Sequence, residues 1–189
     1  MNTHTLIPIL IAAAGVIAAV LVALVAIRLL RRNKLRRKFG TEFEYTMEKV
    51  GNPRAVAEIL VEREKRVKKL DIRELVQDEK ERYFNEWTEI QAGFVDNPAK
   101  SIEEANRLIT EVMIARGFPV AEFEQRAADL SVLYPNFVPN YRNAYAIAMK
   151  SQNGQASTEE LRQAMVYYHS LFGELLGPIQ TKEKQLEMA

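Results

Sequence analysis

The sequence predicts an all-α protein with a single N-terminal transmembrane helix, a charged helical stalk and a small helical bundle. Three observations carry this. An uncharged, almost wholly apolar run fills residues 6–27. Beyond residue 40, apolar side chains recur at three- and four-residue spacing between Gly, Pro and Asn breaks. No stretch alternates apolar and polar residues as a half-buried strand does.

The apolar run holds 22 residues. At about 1.5 Å per residue a helix of that length covers roughly 33 Å, enough to cross a hydrocarbon core of about 30 Å. A helix also satisfies its own backbone groups, as lipid requires. A cleaved signal peptide would carry basic residues before a shorter apolar core. Here Met-Asn-Thr-His-Thr precedes the run, and the cations follow it. They are Arg28, Arg31, Arg32, Lys34, Arg36, Arg37 and Lys38, with no acid before Glu42. The positive-inside tendency keeps such a flank in the cytoplasm. The short N-terminus is then expected to cross, and everything after Arg28 to be cytoplasmic. The seven cations are also the expected membrane-surface residues, snorkelling onto headgroups. The other reading of this collar is binding of anionic lipid or nucleic acid. Nucleic acid is disfavoured because no aromatic residues interleave the cations. Gly15 and Ala19, Ala14 and Ala18, and Ala19 and Ala23 form small-residue pairs through which spans can associate.

Net charge is +1 for all 189 residues, but the collar holds seven positive charges, leaving −6 for residues 41–189. That acidic balance also argues against nucleic acid as a partner. The chain has no cysteine. Disulfides, iron–sulfur ligation, thiolate zinc sites and a Cys nucleophile are thereby excluded for it.

After the collar, residues 41–50 read as a short helix stopped by Gly51. Asn52-Pro53 caps and opens the next, which runs to about Leu70. Its middle, EREKRVKK at 62–69, reads as a solvated face, so the helix is a stalk or coiled-coil contact, or else packs a sparse stripe on the distal domain. Tyr83, Trp87, Ile90 and Phe94 share one helix face. Asp96-Asn97-Pro98 breaks that helix and caps the next, whose stripe is Ile102, Ala105, Ile109, Val112 and Met113, stopped by Gly117 and Pro119. Phe123, Ala127 and Leu130 mark a third stripe, ended by Pro135. A fourth helix begins near Pro139, with Tyr141, Ala144, Tyr145 and Ala148 on one side. Ser157 to Glu160 form a capping box for a last helix with Leu161, Met165, Tyr168, Phe172 and Leu175. The expected organisation is an anchor over 1–30, a juxtamembrane collar over 31–40, a stalk over 41–77, a bundle over 78–177 and a disordered polar tail over 178–189.

The words WTEIQAGFVDNP at 87–98, EVMIARGFP at 111–119, FEQRAADLSVLYP at 123–135 and ASTEELRQAMVYY at 156–168 carry a resemblance. Across residues 83–176 the chain resembles a family of uncharacterised bacterial single-pass membrane or secreted proteins. In that family a hydrophobic N-terminal segment and a basic linker are usual. The resemblance implies one bacterial domain, and with the anchor a place in the inner (cytoplasmic) membrane. It implies no activity.

The search for chemistry ends without catalytic, cofactor or metal residues. His4 precedes the anchor, and His169 reads as a surface or boundary histidine. One histidine without cysteine makes a poor zinc site, and neither histidine belongs to a Glu-x-x-His motif. Asp96 and Asn97 lack the alternating oxygens of a Ca²⁺ loop, and no glycine-rich phosphate loop is present. The most unusual segment is residues 123–142, where Phe123, Tyr134, Phe137 and Tyr141 surround two prolines beside Arg126, Asp129 and Arg142. Phe123, Arg126, Tyr134, Phe137 and Tyr141 are the candidate partner-binding residues, since aromatics with arginine supply interface hot spots. The structural reading is that the prolines force a corner which the aromatics plug, with Arg126 pairing Asp129 three residues on. The expected function is a membrane-anchored, non-enzymatic interaction or scaffold domain, held to lipid by its anchor and presented to a protein partner or a second copy. The alternative is a ligand-binding or enzymatic domain using carboxylates and tyrosines. It requires a deep pocket with at least two convergent acids. A third reading makes the collar and the 53–70 helix a lipid-surface sensor.

Overall fold

The structure, a computed structural model, describes residues 3–119 and 121–178; within the first helix the side chains of residues 3–16, 18, 28 and 31 lie outside the described set. Eight α-helices and no strand are found among the described residues. They are α1 (Thr3–Phe39), α2 (Thr41–Val50), α3 (Pro53–Val67), α4 (Gln77–Gly93), α5 (Pro98–Ala115), α6 (Phe123–Leu133), α7 (Val138–Gln152) and α8 (Thr158–Leu176). The all-α class is as expected.

α1 is continuous from the apolar run through the collar. Among the described residues no helix is long and apolar enough to cross a membrane. Most of the first half of the run expected to span, residues 6–16 and 18, lies outside the described side chains, as do those of Arg28 and Arg31. The expected tail beyond residue 178 also lies outside the described residues.

The chain divides into two compact units, Met1–Leu60 and Val61–Ala189. In the first, α1 turns into α2 at Gly40, whose φ of 51° suits a residue without Cβ. Leu35 and Phe39, one helical turn apart, are buried, as are Phe43, Val56 and Leu60. Gly51, in the left-handed region, ends α2 by donating its N–H to the Met47 carbonyl. Asn52 then accepts from the Arg54 and Ala55 amides at 2.9 and 3.4 Å, the cap expected ahead of Pro53.

In the second unit α8 packs on α7, α5 and α4, α5 packs on α4 and α7, and α6 packs on α7. The stripes read from the sequence are the ones that meet. Tyr83, Trp87 and Ile90 of α4, Ile102, Ala105, Ile109, Val112 and Met113 of α5, and Leu161, Met165, Tyr168, Phe172 and Leu175 of α8 are all buried in one core. Phe94 is half-buried at its edge. Asn97 caps α5 by accepting from the Lys100 amide at 3.1 Å. Ser157 and Glu160 form the capping box of α8.

Two local expectations change. α3 stops at Val67, and residues 68–70 follow as turns, with Lys69 and Leu70 donating to the carbonyls three residues back. The following segment is pinned to the end of α5, because Arg73 donates its amide to the Arg116 carbonyl at 2.9 Å. The face over 62–69 is also not wholly solvated. Arg66 forms an ion pair with the buried Asp129 of α6, and Arg63 donates to the Ser131 hydroxyl at 3.4 Å.

Candidate functional site

The α6–α7 corner is built from chain constraint outward. Pro135 and Pro139 lack amide donors and fix φ, so the chain turns between Leu133 and Val138. Tyr134 donates its amide to the Leu130 carbonyl at 2.7 Å and Phe137 to the Tyr134 carbonyl at 3.1 Å, which carries one helix into the next. Arg142 bonds Glu124 at 2.8 Å across the pair.

The five candidate residues do not form one surface. Phe123, Arg126 and Tyr141 come together. The Phe123 ring stacks on Tyr145 at 3.7 Å and tilts against Tyr141 at 5.1 Å. Arg126 donates Nη1 to the Ala121 carbonyl at 2.9 Å and Nε to the Tyr141 hydroxyl at 3.4 Å. Tyr141 is fully buried, and that burial pushes its phenol up despite the nearby guanidinium. Its ring meets the edge of Tyr168, which donates its hydroxyl to Asn106 Oδ1 at 3.1 Å. Burial raises the Tyr168 phenol as well. Tyr134 stands apart, under the Arg116 guanidinium at 5.6 Å. Phe137 packs half-buried against the core.

The expected Arg126–Asp129 pair does not form. Asp129 is 1 % exposed and takes both Nε and Nη2 of Arg66, at 2.8 and 2.5 Å, with Gln125 Nε2 at 3.1 Å. Its other oxygen, Oδ2, has no protein partner. A residue sixty-three positions away thus displaces the local one. A buried carboxylate is stable only beside a close cation, and Arg66 supplies it, with both nitrogens converging on the one oxygen Oδ1.

Trp87 is buried, as an anchor of the core, and stacks on Phe172 at 4.8 Å. His169 is exposed and stacks on the same indole at 5.6 Å. The indole Nε1 is buried without a hydrogen-bond partner. No group of three or more His, Asp or Glu that could hold a metal ion is found among the described residues.

Sequence reading missed two features. One is a shallow groove of about 460 Å³ between α7 and α8, floored by Ala146, Ile147 and Tyr167. Its two acids are engaged: Glu159 with Arg162 at 2.6 Å, and Glu160 with Lys150 at 2.9 Å. The signal was present in Ile147 and Tyr167, which flank the main stripes of their helices with small Ala146 beside them. The other is Arg116, which donates to the carbonyls of Leu175 at 2.8 Å and Arg73 at 3.2 Å. It ties the end of α8 to the segment before α4. No spacing rule exposes such a role, since both acceptors are backbone atoms far along the chain. No protein-family model, no curated protein and no solved structure matches this chain.

Proposed function

We propose that this protein is a membrane-tethered helical domain whose role is to hold a folded surface at the bilayer for a protein partner or a second copy of itself. One observation carries the tether. The described side chains of α1 before the collar expose large apolar groups on most sides: Ile17, Val20, Leu21, Val22, Leu24, Val25 and Ile27 are each 46–69 % exposed. Successive residues of a helix point about 100° apart, so these positions cover most of its circumference, and the exposed Ala19, Ala23 and Ala26 fill the rest. A helix apolar all round needs an apolar solvent, and lipid is that solvent. The cations that follow favour a cytoplasmic position for the remaining chain.

The second unit supplies the folded surface. The acids of its α7–α8 groove are paired, and the groove is open rather than deep. Of the candidate partner-binding residues, Phe123, Arg126, Tyr134 and Phe137 keep part of their surface at the exterior and are the first to substitute. Tyr141 is core.

The test is topological. With a tag fused after Ala189, the protein is expected to stay in the membrane pellet through an alkaline wash. The tag is expected to resist protease added to intact spheroplasts and to be cut once the membrane is opened. Release by the alkaline wash would remove the tether, and cleavage on intact cells would reverse its direction.

A further inference from the structure

α1 does not end where its apolar run ends. It continues as one helix to Phe39, so the collar side chains sit at fixed heights and angles. Leu35 and Phe39 mark its buried side. Arg37 lies opposite them by helical geometry, with Lys34 about 60° from it, and Arg32 is exposed on the Leu35 side, one turn nearer the apolar run. Arg36 differs, since its Nε is held by Glu44 of α2 at 2.8 Å. Among the described residues no acid pairs with Arg32, Lys34 or Arg37.

Height decides what these three meet. At about 1.5 Å per residue, Lys34 stands roughly 6 Å and Arg37 roughly 10 Å beyond Leu30 along the axis. A headgroup layer is roughly 5–8 Å thick on each side of the hydrocarbon core. Arg32 and Lys34 therefore fall inside the layer and Arg37 a few ångströms beyond it, with a long stem that brings its charge back toward phosphate level. Leu29 and Leu30, 52 and 69 % exposed, fix the start of that scale.

We infer that Arg32, Lys34 and Arg37, spread around the helix, gather acidic phospholipid headgroups on the leaflet from which α1 emerges, so that the chain selects the lipid around it. This rests on the tether proposed above. Three unopposed cations held on a rigid helix attract a headgroup of net negative charge, whereas a zwitterionic headgroup brings its own cation. A cation close to an acidic surface is worth about fivefold in binding. Arg36, already held by Glu44, contributes less than the other three.

The test uses the full chain reconstituted into phosphatidylcholine vesicles doped with spin-labelled phosphatidylglycerol or spin-labelled phosphatidylcholine. The fraction of each label immobilised by protein gives its relative association. The expected result is a preference for phosphatidylglycerol of about fivefold or more, shrinking at high salt as screening shortens the field. The R32Q/K34Q/R37Q triple variant, which keeps Arg28, Arg31, Arg36 and Lys38, is expected to lose most of the preference, and R36Q to retain most of it. Equal immobilisation by the wild-type chain, or an undiminished preference in the triple variant, overturns the inference and leaves the tether standing. No immobilised fraction of either label overturns both.

Discussion

At Gly117 two backbone segments approach as closely as the chain allows. A Cβ there would collide with the carbonyl oxygen of Asp71 and lie 3.0 Å from its carbonyl carbon. The residue also has φ of 95°, in the left-handed region that side chains disfavour. Next to it, Arg116 and Arg73 exchange hydrogen bonds through their backbones and the Arg116 guanidinium. Gly117→Ala should therefore cost about 2–4 kcal/mol of unfolding free energy, the sum of strained backbone and forced separation. Gly154 is the control: its φ is 68°, but nothing lies within 4 Å of an added Cβ. Gly154→Ala should cost only about 1 kcal/mol. Urea unfolding followed by circular dichroism separates the two, and equal losses would mean that the Asp71 contact is immaterial. The glycine was legible in the sequence as a helix stop. Its second duty was not, because the partner is a carbonyl that carries no residue signature.

At the scale of elements, two helix starts hold unusually acidic carboxyls. Glu160 is lowered to about 2, first by the Ser157 amide, then by Lys150 and the Ser157 hydroxyl. Glu79 is lowered to about 2, first by Arg73 and then by the Val76 amide. The first was readable from the Ser157–Glu160 spacing. The second was hidden, because Val76 offers no side-chain acceptor and only Glu79 reaches back to the cap. Both folded values lie below the ordinary 4.5. The unfolded chain therefore binds protons first as pH falls, and the stabilisation is complete above about 4.5 and is lost between there and about 2. The urea midpoint should decline across this window, and the Glu79→Gln, Glu160→Gln double variant should decline less. A double variant whose midpoint falls in parallel with wild type would show that these caps do not govern acid sensitivity. The helix ends themselves were legible wherever Gly, Pro or a cap stood at the boundary. α3 ends at Val67 without such a boundary residue, its last turns tightening as far as Leu70.

For the whole molecule, the question is where the distal unit begins. Composition places the bundle at 78, since 62–76 is rich in charge and poor in apolar density. The compact unit begins instead at Val61. Leu75 is 5 % exposed and belongs to the core, with Leu70 and Ile72 packed against it. Arg66 holds the buried Asp129, and Gly117 lies against Asp71. A fragment of residues 52–189 keeps all of these and an intact α3, and should unfold in a single cooperative transition. A fragment of residues 78–189 loses the Leu75 side chain, worth about 1.5–3 kcal/mol when buried. It also removes Arg66, the partner of Asp129, and breaking a buried pair costs about 3–5 kcal/mol. The shorter fragment should therefore be less stable by at least about 3 kcal/mol, or lose cooperativity altogether, when both are unfolded in urea at neutral pH. If the two fragments unfold at the same midpoint with the same slope, residues 61–77 are a linker after all, and the bundle closes without them.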